Sequence, residues 1–246
     1  MDVRKSISVS RITDVGRMRE RNEDAVASEL TTGLVMVADG MGGYKGGAIA
    51  SEIAILVITA EFAELLHQHG SKKFSRSHMP VAQMLEKAVK KANQAIYSIS
   101  ESNQSCHGMG TTMVAGVFYD NKLLTGHIGD SRLYRFRNQV LTQLTEDHSL
   151  IQEQINAGLI TKEQARRSND GHLVTRALGT DPEVELALSE FLVSVGDLYL
   201  LCSDGLTDLV SDDEIAQVLI NANHQLDIAS KTLVKLANKY GLSLIH

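Results

Sequence analysis

The sequence predicts an α+β fold built on antiparallel strands. Short runs of β-forming residues are joined by tight turns, as at residues 111–119 and 122–128 on either side of Asp120-Asn121, and runs so closely spaced pair as hairpins. Two longer stretches, residues 49–66 and 81–99, carry apolar residues at helical spacing with few breakers. These read as long amphipathic helices.

Composition bounds the rest. The 246 residues fit one domain that buries a substantial core. With 24 Lys+Arg against 30 Asp+Glu, the net charge of -6 gives no reason to expect nucleic acid or an anionic membrane as partner. Cys106 and Cys202 are too few for a disulfide framework and no signal-peptide pattern opens the chain, so a cytoplasmic location is expected. No apolar run reaches the roughly 18 residues of a membrane-spanning helix.

In chain order, residues 6–13 alternate polar and apolar as a half-buried strand does, and lead into an Asp14-Val15-Gly16 turn. Residues 17–24 then interleave Arg17, Arg19 and Arg21 with Glu20, Glu23 and Asp24. A solvated loop is one reading. The order also suits anion capture beside a cation, because an arginine fork matches phosphate and Glu23 and Asp24 can reach a hard metal directly or through its waters.

Residues 34–38 form an apolar run bounded by Gly33 and Gly40, a buried strand with Asp39 at its end. Gly40, Gly42, Gly43, Gly46 and Gly47 are expected to suspend regular structure and let the backbone approach a ligand, before a helix begins near Ala48. Burying an ionised carboxylate needs a compensating cation, and a bound metal does this better than Lys45 in a flexible loop. An ordinary strand-to-helix turn reads the same on this stretch alone, so the other acidic motifs decide.

The connector at residues 70–78 is polar and basic, and His67, His69 and His78 read as surface residues without function. A glycine turn at residues 105–112 opens the paired strands, the second of which ends in Gly129-Asp130-Ser131-Arg132. Strands at 133–136 and 140–144 follow, then a cap at 145–149 and a helix at 150–157, with Asp147 read as a capping acid and His148 as structural. Residues 158–171 read as a small mobile excursion, lid-like and too small for a domain. Strands at 186–193 and 198–202 flank an expected hairpin turn, and the second ends in Ser203-Asp204-Gly205, echoing Ala38-Asp39-Gly40. Two strand-end acids converging on one point is what a hard divalent cation demands. Short helices near 212–219 and 227–240 close the pattern.

Seven motifs stand in one order: DVGRMRERNED from Asp14, VADGMGG from Val37, GMGTT from Gly108, GHIGDSR from Gly126, LTEDHS from Leu144, TRALG from Thr175 and LCSDGLTDLVSDDEI from Leu201. Each is weak alone. As an ordered set spanning nearly the whole chain they resemble the bacterial metal-dependent protein phosphatases, the type 2C serine/threonine family. The resemblance implies a single domain over residues 1–246 with a flap at about 150–175. Its fold would be a β-sandwich of two antiparallel sheets flanked by helix pairs, four layers in the order α-β-β-α.

The same resemblance implies roles. Asp39 matches the aspartate that bridges two Mn²⁺ or Mg²⁺ ions, and the Gly40 carbonyl with Glu23, Asp24 and Asp204 completes the shells, partly through water. Arg19 matches the substrate-phosphate arginine, and Asp130 a ligand of a third, weaker metal that some members show. The implied chemistry is in-line attack of a metal-activated water on phosphoserine or phosphothreonine, with Cys202 a buried strand residue and no protein nucleophile. The implied partners are phosphorylated proteins, with a serine/threonine kinase and its substrates among them.

Two departures stand out. Met41 occupies the position where some relatives, mainly eukaryotic, place a histidine. The family pattern closes with Gly-Gly-x-Asp-Asn and a final strand, whereas residues 239–246 read KYGLSLIH, which implies one lost metal carboxylate, a weakened ion and reduced activity. The rival reading is a catalytically impaired regulatory or binding domain that keeps the fold. A metal-dependent nuclease is disfavoured by the acidic balance.

Overall fold

Nine strands and seven α-helices are present among the residues that the structure, a computed structural model, describes, which are 6–17, 19–42, 45–69, 80–165 and 173–241. The chain opens with β1 (Asp24–Glu29), β2 (Leu34–Met41), α1 (Gly46–His69) and α2 (Val81–Ser102). Then come β3 (Gly110–Thr111), β4 (Met113–Tyr119), β5 (Lys122–Ile128), β6 (Arg132–Arg137) and β7 (Val140–Gln143). They are followed by α3 (Leu150–Asn156), α4 (Lys162–Ala165), β8 (Ala187–Leu192) and β9 (Leu198–Cys202). The last helices are α5 (Asp204–Thr207), α6 (Asp212–Ala222) and α7 (Leu226–Gly241).

Strand alternation sorts these elements into four layers. On β2, Leu34, Met36 and Ala38 face one way and pack with α1 and α2, whose Ile58, Phe62, Leu85 and Ile96 are fully buried. Val35 and Val37 face the other way, against Leu133 of β6 and Tyr199 and Leu201 of β9. Beyond that second sheet, Phe136 packs on Val210, on Ile215 and Leu219 of α6 and on Leu233 of α7. The first sheet runs β1-β2-β4-β5-β8 with β3 on β2, and the second runs β7-β6-β9. All pairings are antiparallel. The expected α-β-β-α sandwich is the observed one.

α2 has the simplest logic. Met84, Leu85, Ala88, Val89, Ala92 and Ile96 recur at three- and four-residue spacing and form its buried stripe. Its partner α1 is apolar over most of its circumference because it lies against both α2 and the sheet.

Several expectations need correction. Residues 7–15 form no strand, and Val9, Ile12 and Val15 are exposed, because no strand among the described residues pairs with that segment to satisfy its backbone. β1 was missed, since its sequence DAVASE carries a weak β pattern and forms by pairing with Leu34 to Asp39 of β2. The glycine cluster interrupts less than expected: Gly40 lies within β2, and α1 begins at Gly46. The turn at 194–197 is no hairpin. It carries the chain from β8 in the first sheet to β9 in the second. The connector at 70–78 with His78, residues 166–172 of the lid segment and residues 242–246 of the closing motif lie outside the described residues.

Candidate metal and phosphate site

Register explains why the acids meet. Asp24 and Asp39 are directly opposed across the β1–β2 pair, and opposed side chains in an antiparallel pair stand about 5 Å apart, where like charges repel. Asp39 lies on the same face of β2 as Val35 and Val37, so it points between the sheets at their open end. Asp204 arrives there from the second sheet, one residue beyond β9 and Ser203. The Ser203 hydroxyl donates to Asp24 Oδ2 at 2.8 Å, and the Asp39 carboxyl is close enough to Asp24 and Asp204 to feel both charges.

The electrostatics follow from that crowding. Burial first, then the Asp24 and Asp204 charges, push the Asp39 carboxyl up to about 10. Asp24 is also raised, mainly by burial, against the lowering bond from Ser203. The three carboxyls therefore pack together with Asp39 keeping its proton. They do not stand as a ready-made ligand shell, and among the described residues no group of three or more acids, histidines or cysteines is spaced to hold an ion. Hard oxygen donors forced together from three separate chain segments are nevertheless the donor set that a multivalent cation relaxes.

Backbone packing positions the remaining members. The Gly40 N–H donates to the Glu23 carbonyl at 3.0 Å, and the Ser51 hydroxyl of α1 donates to the same carbonyl at 2.6 Å. A Cβ on Gly40 would stand 2.0 Å from the Gly47 carbonyl oxygen, so the strand end and the start of α1 can close up only around glycine. Arg19 sits at the rim, 62% exposed, with Nη1 at 3.5 Å from Glu23 Oε2. A cleft of about 810 Å³ opens between the sheets. Arg19, Glu23, Asp24, Asp39 and Asp204 all line it, with Val37 and Leu201 on its apolar walls.

Asp130 is held apart from this cleft, in the turn that crosses from β5 to β6. It is buried, and burial with the Asp204 and Asp147 charges pushes its carboxyl up to about 6. Around it is a network that the sequence did not disclose. Arg132 makes a forked contact to Asp147, its Nη2 at 2.6 Å from Oδ2, and donates to the Tyr134 hydroxyl at 3.0 Å, which donates on to Asp212 at 3.0 Å. Asp147 is thus an ion-pair partner, and the cap of α3 is Ser149. His148 is structural as expected: its Nδ1 accepts the Gly129 N–H at 3.1 Å and its ring stacks on His127. Cys202 is buried and its thiol is pushed up to about 12, chiefly by burial. It is no thiolate nucleophile.

A four-layer αββα sandwich with carboxylates gathered at one end of its inter-sheet cleft, and an arginine at the rim, defines a class of phosphate-ester hydrolases that work through divalent ions. The chain belongs to the protein phosphatase 2C family, whose sequence profile matches residues 17–236. Among its relatives, the serine/threonine phosphatase stp of Listeria monocytogenes is 35% identical over 93% of this chain and 89% of that protein. The serine/threonine phosphatase PstP/Ppp of Mycobacterium tuberculosis superposes with a TM-score of 0.80 at 37% identity, covering 92% of this chain and 89% of that one. The catalytic domain of PstP in complex with two manganese ions superposes at 0.76 with the same identity and coverage.

Proposed function

We propose that this chain is a protein serine/threonine phosphatase that removes phosphate from phosphoserine and phosphothreonine by attack of water. The observation that carries the reading is the meeting of Asp24, Asp39 and Asp204 at the open end of the inter-sheet cleft. Asp39, Asp24, Glu23 and Asp204, with the Gly40 carbonyl, are the groups that would hold two Mn²⁺ or Mg²⁺ ions, and Asp130 would serve a third, weaker one. When bound, these ions supply Lewis-acid activation of water and neutralise charge at phosphorus.

The chain's own groups do the rest. Arg19 is tethered only loosely to Glu23, so its guanidinium can turn to clamp two phosphate oxygens of an incoming phosphoprotein by parallel hydrogen bonds. The buried Cys202 thiol leaves water as the nucleophile. Substrates are proposed to include the targets of a serine/threonine kinase and the kinase itself, in a cytoplasm where both buried cysteines stay reduced. No helix among the described residues is long and apolar enough to cross a membrane.

The test is phosphate release from a phosphothreonine peptide by the full chain in Mn²⁺ and in EDTA. Release in Mn²⁺ that EDTA abolishes is expected. A folded, Mn²⁺-saturated chain that releases none would overturn the reading in favour of a regulatory domain.

A further inference from the structure

The sheet is interrupted at one point of functional interest, and a hydroxyl fills the break. Val37 pairs with Val114 and Gly40 with Thr111 in one continuous register, which sets Thr112 opposite Asp39. A regular antiparallel pair at this spacing exchanges two N–H···O=C bonds. Here Thr112 N–H donates to the Asp39 carbonyl at 2.8 Å, but the return bond is replaced: Asp39 N–H donates to Thr112 Oγ1 at 3.1 Å. The Thr112 carbonyl is taken by the Thr111 hydroxyl at 2.9 Å, and that hydroxyl also lies 2.8 Å from the Asp39 carbonyl.

The Thr112 hydroxyl then reaches across the sandwich. Besides accepting from Asp39, its Oγ1 lies 2.7 Å from Ser131 Oγ, a contact in which either hydroxyl can donate. Ser131 is adjacent to Asp130. Thr112 and Ser131 are 4% and 1% exposed, so water does not compete for either hydroxyl. The Thr112 side chain also packs under the turn itself, since a Cβ on Gly129 would stand 2.7 Å from Thr112 Cβ and Cγ2. One side chain therefore touches the strand end that bears Asp39 and the turn that bears Asp130.

We infer that Thr112 is a positioning residue, whose hydroxyl, bonded both to Asp39 N–H and to Ser131, fixes the spacing between these two acid-bearing segments and thereby the affinity for divalent ions. The inference rests on the phosphatase reading of the same site. Removing the hydroxyl takes the acceptor from the Asp39 N–H and frees the backbone to drift toward a regular pair, with an effect on the order of tenfold.

The experiment is calorimetric titration of Mn²⁺ into the full chain and into Thr112→Val, Thr112→Ser, Ser131→Ala and the Thr112→Val/Ser131→Ala double variant. Thermal midpoints in EDTA and kcat and KM for p-nitrophenyl phosphate are measured alongside. Thr112→Val is expected to weaken Mn²⁺ binding about tenfold and to lower kcat more than it raises KM. Thr112→Ser should stay within about twofold, Ser131→Ala should weaken binding in the same direction, and the double variant should bind no more weakly than Thr112→Val. Unchanged Mn²⁺ affinity in Thr112→Val, with only a lowered midpoint, would reduce Thr112 to a structural residue and overturn the inference, as would additive losses. If Thr112→Val does not fold, unchanged affinity in Ser131→Ala overturns it. A wild-type chain that binds no Mn²⁺ would instead sink the phosphatase reading on which the inference stands.

Discussion

Replacing Asp39 by asparagine keeps the size of the side chain and removes its charge, and the structure gives this change two opposite effects. In the metal-free protein the Asp39 carboxyl is pushed from 3.8 up to about 10 by burial and by Asp24 and Asp204. A group raised in the folded state contributes stability that is fully present below its unfolded value and is lost as pH rises through its folded value. Between pH 4 and 10 the wild-type chain therefore weakens progressively relative to one that cannot ionise there. At pH 7 the difference is on the order of 4 kcal/mol, from 1.36 kcal/mol per pH unit over the interval above 3.8. Hydrogen bonds that the amide cannot reproduce offset about 1–3 kcal/mol of this. The net should appear as a melting temperature about 5 °C higher for Asp39→Asn in EDTA at pH 7 to 8, with the gap closing toward pH 4. Phosphatase activity should fall by about 10²–10³ or more, since a charged contact at the reacting centre is gone. Thermal melts in EDTA across this pH range, beside Mn²⁺-dependent phosphate release, test both halves. A variant less stable than wild type at pH 8, or a gap that ignores pH, would refute the electrostatic reasoning.

Arg19→Ala should raise KM for a phosphothreonine peptide about tenfold or more, with Arg19→Lys a poor rescue because one ammonium cannot make the two-pronged contact; equal effects from Arg17→Ala would instead indicate a diffuse basic patch. Asp147→Asn should lower the urea unfolding free energy by about 3 kcal/mol, because it leaves the Arg132 guanidinium partly buried and unpaired; an unchanged midpoint would show that Tyr134 alone satisfies it. Gly47→Ala would gain up to about 1 kcal/mol of helix propensity in an open helix, yet its Cβ would meet the Gly40 backbone at 2.8 Å and Glu23 Cδ at 2.9 Å. It should therefore be destabilising and should weaken Mn²⁺ binding, and a stabilised variant with normal Mn²⁺ affinity would show that the close approach relaxes freely.

The elements legible in the sequence were those whose pattern is local. The hairpin of β4 and β5 is written in β-branched and apolar runs around Asp120, which takes the positive φ of 50° that its turn requires. α2 is written in its apolar stripe. What could not be read was anything decided by a partner distant in sequence. DAVASE becomes β1 because β2 offers a ladder, and residues 7–15 fail to become a strand for want of one. Asp39 and Asp204 were legible as site acids because each follows an apolar run with glycine after it. The opposition of Asp24 to Asp39 needs the register, and the bond from Ser203 to Asp24 joins residues from opposite ends of the chain. The Thr112–Ser131 contact and the Arg132–Asp147 pair were hidden for the same reason, since a hydroxyl or an acid beside a turn reads first as a cap. The only local hint was a pair of threonines after a glycine turn, at the head of a strand that is otherwise apolar.

Crowded between Asp24 and Asp204, Asp39 keeps a proton that it gives up to divalent ions. Calorimetric titration of Mn²⁺ into the full chain at pH 7, repeated in buffers of different ionisation enthalpy, counts the protons released on binding. The account predicts binding accompanied by release of about one proton or more, because Asp39 enters the titration protonated. Mn²⁺ binding with no proton release, or no binding at all, would contradict it.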